Sequence, residues 1–297
     1  MKKFLIPLAC ALGLFSCSAK ASDKTNEENS ETQNSESAMT ASNEGSVAAG
    51  PDKKVVISTT EGDIEVLLYG DTPKHQANFL KLAKEGYYDG TLFHRVINEF
   101  MVQAGDPESK NAPAGKHLGS GGPGYQIDAE FVYPKHFHKY GALAAARTGD
   151  QMNPERKSSG SQFYIVTGKK YSDSELGQID GYLKNVAMQA RFQELVKNHE
   201  AEIRTMQQNG DQDGLNQLRD KLVAQIESEM KDKGGLTDEQ KTAYTTVGGT
   251  PHLDGQYTVF GEVTNGMDVV EKIQKAETDG ADRPTADIKI TGMKVID

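Results

Sequence analysis

The sequence has 297 residues, 36% of them hydrophobic and 26% charged, with a formal net charge of −10 and no tryptophan. That length fits one large domain or two small ones, and the acidic balance argues against general nucleic-acid binding, which needs clustered lysine and arginine to neutralise phosphates. Both cysteines, Cys10 and Cys17, lie near the start of the chain, which excludes disulfides, thiol catalysis and cysteine zinc sites from everything downstream.

The chain opens with Lys2 and Lys3, followed by an apolar run from Phe4 to Phe15 that Pro7 and Gly13 interrupt. The run is too short to cross a bilayer as a helix and has the layout of a secretory signal, assigned to residues 1–16. Leu14-Phe15-Ser16-Cys17 resembles a bacterial lipobox. That resemblance implies that Cys17 becomes the lipidated first residue of the mature chain, with Cys10 discarded. The protein is then expected to be anchored to a bacterial membrane and to face the periplasm or the cell exterior. The alternative is an ordinary cleaved signal with an incidental cysteine. Residues 17–52 are rich in Ser, Asn, Glu, Thr and Ala and bury too little surface to offset the entropy of ordering. They are expected to form a flexible tether.

From Lys53 the pattern changes. Val55 and Ile57, then Ile64, Val66 and Leu68, alternate about Glu61-Gly62-Asp63, which predicts two strands joined by a glycine turn. Thr72-Pro73 predicts a helix start with Thr72 as N-cap, and Gly86 its end. Strands are expected within Leu92–Ile97, Phe100–Ala104, Gly141–Ala146, Gln162–Thr167, Tyr257–Val263 and Ile288–Ile296, with a short helix from Met267 to about Gln274. Many short strands with two helices point to a closed or nearly closed antiparallel sheet.

Residues 169–249 differ in character. Ser172-Asp173-Ser174-Glu175 reads as a capping box. Ile179, Leu183, Val186, Ala190, Leu195, His199, Ile203 and Met206 then recur at helical intervals up to Asn209-Gly210. Leu215, Leu218, Leu222, Ile226 and Met230 mark a second amphipathic stretch, and Thr237 with Gln240 caps a third, short helix. The expectation is an α-helical hairpin inserted into a β domain of residues 53–297. Its apolar stripe must bury within the hairpin, on the β domain or on a partner.

The chemistry concentrates in Phe93-His94-Arg95-Val96-Ile97 and Phe100-Met101-Val102-Gln103-Ala104-Gly105-Asp106. Strand alternation puts Arg95 on one side with Phe93 and Ile97, and Met101 on one side with Gln103. A guanidinium and an amide on an apolar surface are costly without partners. Taken alone, this segment is as well explained by an arginine paired to a carboxylate at a sheet rim. Further along come Gly141–Arg147 (GALAAAR), Ser161–Thr167 (SQFYIVT) and Leu253–Gly261 (LDGQYTVFG). In that order, these motifs resemble the cyclophilin family of peptidyl-prolyl cis–trans isomerases over roughly residues 53–168 and 250–297.

The resemblance implies a mainly β fold, a closed antiparallel eight-stranded barrel with two capping helices. It makes Arg95 the catalytic residue and Phe100, Met101, Gln103, Gln162, Tyr164 and Leu253 pocket residues. Ala146 and Arg147 fall on the substrate-binding strand, Tyr257 borders the pocket, and Gly119 with Ser120 matches the glycine-rich loop beside a neighbouring pocket. Arg147, Tyr164 and Tyr257 stand where many members carry Asn, Phe and His. His252 stands where cyclosporin-sensitive members carry Trp, so weak cyclosporin binding is expected.

Isomerising an X-Pro bond breaks no covalent bond, so the chemistry calls for no nucleophile, metal, cofactor or general base. The obstacle is amide resonance, a barrier of about 18–20 kcal/mol. His136 and His138 are a metal pair at strand spacing only if a third ligand joins them, and otherwise sit in a solvated loop. Gly119–Gly124 lacks the Lys-Ser/Thr of a phosphate loop. His94 is expected to be a hydrogen-bonded partner of its strand. The functional expectation is an isomerase for proline-containing, unfolded or exported polypeptides. The alternative is a non-catalytic chaperone or adaptor that binds proline-containing segments. The helical segment is expected to offer a site for a partner or for self-association.

Overall fold

The computed structural model describes residues 49–231 and 233–296. The expected signal segment, Cys17 and most of the tether lie outside the described residues. The described residues form two compact units, one of residues 49–182 with 235–296 and one within 183–234.

The larger unit is built on an antiparallel sheet of eight strands. These are β1 (Lys53–Thr59), β2 (Gly62–Leu68), β3 (Arg95–Ile97), β4 (Met101–Ala104), β6 (Ala142–Ala145), β8 (Phe163–Val166), β9 (Val259–Asn265) and β10 (Ile290–Ile296). Their order is β10-β1-β2-β9-β6-β8-β4-β3. A separate two-stranded ribbon pairs β5 (Gln126–Ile127) with β7 (Ser158–Ser159), which nothing in the sequence pattern announces.

The expected closed barrel is an open, curled sheet with β3 and β10 at its edges. Closure needs a continuous ladder, and β3 is only three residues long. The edges meet instead through one bridge, Leu92 with Lys289, and through single backbone bonds such as Phe93 N–H to Ile288 O at 2.9 Å and Val96 N–H to Asp282 O at 2.8 Å.

Two helices cover the core face of this sheet. Phe79 and Leu82 of α1 (Pro73–Lys84), with Val269, Val270 and Ile273 from a second helix at Met267–Gln274, pack on Val55, Ile57, Val66, Phe93, Leu143 and Ile165. Pro73 begins α1 as expected, but Thr72 does not cap it, because its hydroxyl donates to Tyr69 O at 3.1 Å. The carboxylate of Glu130 takes that role, accepting from the amides of Lys74 at 3.0 Å and His75 at 2.9 Å. A cap contributed from so far along the chain leaves no local signature. At the start of the described residues, Gly50 N–H bonds Gly70 O and Asp52 accepts from the Gly70 amide, which ties these two residues to the β domain.

The helical segment comprises α2 (Asp173–Asn198), α3 (Glu200–Gln208), α4 (Gln212–Glu229) and α5 (Asp238–Thr246); the helix at Met267–Gln274 is α6. Both expected capping boxes form, Ser172 with Glu175 and Thr237 with Gln240. The long first helix breaks at His199 into α2 and α3. The unit of residues 183–234 has its own core of Phe192, Leu195, Ile203, Leu215, Leu218, Leu222 and Ile226. Val186 and Ala190, assigned to the apolar stripe, are exposed, and Phe192 takes the buried place on that helix.

Candidate active site

Strand alternation gives the sheet two different faces. Val102 and Ala104 of β4, Leu143 and Ala145 of β6, and Phe163 and Ile165 of β8 point into the core under α1 and α6. Met101, Ala142, Ala144, Tyr164 and Val166 point the other way and form a second apolar cluster with Val259. Phe100, Ala146, Leu253 and Tyr257 pack around its rim. The central strands are buried on both faces, which is why β4, β6 and β8 read as continuous apolar runs.

A pocket of about 120 Å³ opens on this second face, and its lining consists of Arg95, Phe100, Met101, Gln103, Ala146, Arg147, Tyr164, Leu253 and Tyr257. All nine are residues that the sequence motifs single out. Arg95 of β3 pairs across the ladder with Gln103 of β4, and Ile97 with Met101. The expected alternation therefore holds for Arg95 and Ile97 but not for Phe93, which precedes β3 and is buried in the opposite core. The Arg95 side chain is 42% exposed, and its Nε lies 3.6 Å from Asp282. Its guanidinium reaches the pocket from an edge strand, with one loose carboxylate partner among the described residues.

Gln162 does not line the pocket but orients a residue that does. Its Nε2 donates to the carbonyls of Gly119 at 3.0 Å and Gly121 at 2.7 Å. Two carbonyls require the amino group on that side, so Gln162 Oε1 accepts from Gln103 Nε2 at 2.9 Å. Among the described residues, Gln103 is left with Oε1 available as an acceptor beside Arg95. Gly119 likewise stands outside the pocket. It borders an adjoining cavity of about 320 Å³, which shares Arg95, Gln103 and Arg147. Gly119 has φ +99°, a conformation that favours glycine, and its amide donates to the buried carboxylate of Asp106.

Arg147 is fixed more firmly than Arg95. Its Nε donates to Gln256 O at 2.9 Å, Nη1 donates to Asp150 at 2.6 Å, and the guanidinium lies 4.4 Å from the centre of the Tyr257 ring. His252 is exposed and stacks on Phe100 with centroids 5.7 Å apart. His94 departs from expectation: it is buried, and neither ring nitrogen has a hydrogen-bond partner among the described residues. Burial pushes its pKa below the ordinary imidazole value, which favours the neutral ring.

His136 and His138 are neither a metal pair nor a solvated loop. His136 stacks on Tyr69 and bonds Asp71 at 2.7 Å. His138 is fully buried; its Nδ1 lies 3.0 Å from Asp254 Oδ1 and its Nε2 lies 3.0 Å from the Tyr164 hydroxyl. A carboxylate can only accept, so Nδ1 carries the proton. In the tautomer that carries its one proton on Nδ1, Nε2 accepts the Tyr164 O–H. Burial holds the Tyr164 phenol well above its ordinary pKa, which keeps it a donor. The Asp254–His138–Tyr164 chain behind the pocket floor was not read from the sequence. Its residues are dispersed, and the only signals were the HFH run and the aspartate after Leu253.

Fold and pocket together define a β protein with an arginine on the wall of an apolar pocket, on the sheet face opposite its helix-covered core. The family model described as cyclophilin type peptidyl-prolyl cis-trans isomerase/CLD matches residues 54–188 and 191–295. The chain belongs to the cyclophilin-type peptidyl-prolyl cis–trans isomerase family. A Staphylococcus saprophyticus protein named as a peptidyl-prolyl cis-trans isomerase is 30% identical over 252 residues, which cover 84% of this chain and 94% of that protein. A Streptococcus pyogenes protein named as a bifunctional phosphatase/peptidyl-prolyl cis-trans isomerase is 32% identical over 252 residues, 82% of this chain but 39% of its own length. A cyclophilin-type isomerase of Cryptosporidium parvum, solved by crystallography, has a TM-score of 0.48 at 20% identity, covering 83% of this chain and 99% of its own.

Proposed function

We propose that this chain accelerates X-Pro isomerisation by holding the proline ring in the 120 Å³ pocket while Arg95 donates to the prolyl nitrogen of the twisted amide. The uncatalysed step takes tens to hundreds of seconds, because the planar amide must lose its resonance. In the twisted state the nitrogen regains a lone pair and accepts a hydrogen bond that neither planar isomer can take. A donor aimed at that nitrogen therefore stabilises the transition state selectively. The observation that carries this reading is the composition of the pocket wall: apolar Phe100, Met101, Tyr164 and Leu253 face one cross-strand pair, Arg95 with Gln103. The apolar side chains fit a pyrrolidine ring. The free Gln103 Oε1 and the Ala146-Arg147 backbone suit the flanking peptide.

A charge-assisted bond of about 1.5–3 kcal/mol corresponds to roughly ten- to a hundred-fold in rate, so positioning and exclusion of water supply the rest. The sequence before residue 49 supports an exported setting in which Cys17 carries a lipid anchor and the substrates are proline-containing exported polypeptides. The test is relaxation of an X-Pro peptide. Wild-type protein speeds it, and Arg95→Ala lowers kcat/KM by about a hundred-fold while still binding the peptide. Peptide binding by a wild-type protein with no rate above background would move the chain to the role of a non-catalytic chaperone.

A further inference from the structure

Resting on the isomerase reading of the pocket, we propose that α5 is a strut for the pocket floor, with Tyr244 and Gln240 acting as positioning residues for Tyr164 through Asp254 and His138. Asp254 follows the pocket residue Leu253 directly, and its carboxylate is almost wholly buried. An isolated carboxylate at such a depth is strongly unfavourable, and here it receives four donors. Oδ1 accepts from the His138 amide at 2.8 Å and from His138 Nδ1 at 3.0 Å. Oδ2 accepts from the Tyr244 hydroxyl at 2.6 Å and from Gln240 Nε2 at 2.9 Å. The first pair leads to Tyr164 and the second comes from α5.

The geometry makes each link depend on the next. Asp254 fixes the His138 tautomer, and that tautomer presents a lone pair to the Tyr164 hydroxyl. Tyr244 is fully buried, and Gln240 completes the α5 capping box with its other amide atom, so both donors are held in place. Tyr257, which also lines the pocket, meets Tyr164 and His138 edge-on at 6.1 and 6.4 Å. A floor that needed only to be apolar would require none of these polar groups. A phenol tied at its far end holds its ring at one depth and tilt, and small misplacements of binding groups are costly in rate. The end of the helical segment is thereby part of the isomerase unit, although no step of the chemistry calls on it.

The experiment is a double-substitution cycle on the full chain, measuring kcat/KM for an X-Pro peptide well below the unfolding midpoint. Tyr244→Phe removes one hydroxyl far from the substrate and is expected to lower kcat/KM about five-fold. Tyr164→Phe keeps the ring but cuts the link to His138. In that background, adding Tyr244→Phe is expected to cause no further loss. A purely structural Tyr244 would instead lower the melting temperature with kcat/KM unchanged, and that result overturns the proposal. Equal losses in both backgrounds overturn it as well, since the two residues would then act independently. Should Tyr244→Phe fold poorly, Gln240→Met removes the other α5 donor and is read in the same way. An inactive wild-type protein would refute the isomerase reading itself, whereas an active one with a flat response to Tyr244→Phe refutes the strut alone.

Discussion

The two sides of the pocket are built in opposite ways. Tyr164 and Met101 sit on β8 and β4, inside the sheet, each with a strand on either side and almost no exposure. Arg95 sits on β3, an edge strand of three residues with one ladder neighbour, and among the described residues its guanidinium has a single carboxylate at 3.6 Å. The side proposed to grip a ring is over-determined by packing and hydrogen bonds, and the side proposed to carry the donor is lightly held. The proposed chemistry accounts for the division. An apolar floor discriminates by shape and needs one fixed position. A donor that bonds the twisted amide must not be saturated by partners beforehand, because every ground-state bond it makes is lost from the differential.

That contrast can be broken from either side. The largest effect is expected from Tyr164→Ala, which empties a buried position behind the pocket. Truncating a buried aromatic costs about 3–5 kcal/mol, so both the unfolding midpoint and the affinity for an X-Pro peptide should fall. A variant with wild-type stability would show that the floor is not the rigid side. Arg95→Lys is expected to do the reverse, lowering kcat/KM by about ten-fold with no change in thermal midpoint. An ammonium keeps the charge but loses the planar fork that reaches past Asp282. Loss of stability in Arg95→Lys would mean that the arginine is a structural member of the rim.

The sequence made the pocket legible and left its supports hidden, for physical reasons. The nine lining residues fall in short ordered motifs because each strand contributes alternate positions to one face. The short helix expected from Met267 to about Gln274 forms over Met267–Gln274. What stayed unreadable depends on contacts between distant segments. Glu130 caps α1, Gln162 orients Gln103 and Asp254 joins α5 to His138. None of these has a local pattern. Barrel closure was over-read because a run of apolar residues from Leu92 to Ile97 does not reveal that only its last three positions pair as a strand. The stripe on α2 was misplaced because helical spacing cannot say which face finds a partner, so Val186 was chosen and Phe192 overlooked.

The smallest expected effect concerns what lies beneath the lightly held side. His94 precedes Arg95 and is buried with both nitrogens unpartnered among the described residues. Burial, the largest influence, lowers its pKa in the folded protein and outweighs the opposing charge of Asp106, while the neighbouring Arg95 charge adds to the lowering. An unfolded histidine titrates at about 6.5. Between that value and the lower folded one, the unfolded chain binds the extra proton and the folded protein does not, so stability falls as pH falls. The contribution is present in full above about pH 6.5 and is lost progressively on acidification through the folded pKa. His94→Leu, which fills the site without a titratable group, is expected to flatten the pH dependence of the denaturation midpoint between about pH 7 and 5. Every other group is common to the two proteins, so only the contribution of position 94 remains in the difference. Equal slopes for wild type and His94→Leu would show that acid does not act through this side of the pocket. A flatter slope for the variant would mean that mild acid destabilises the fold through the buried His94, next to the arginine on the lightly held side.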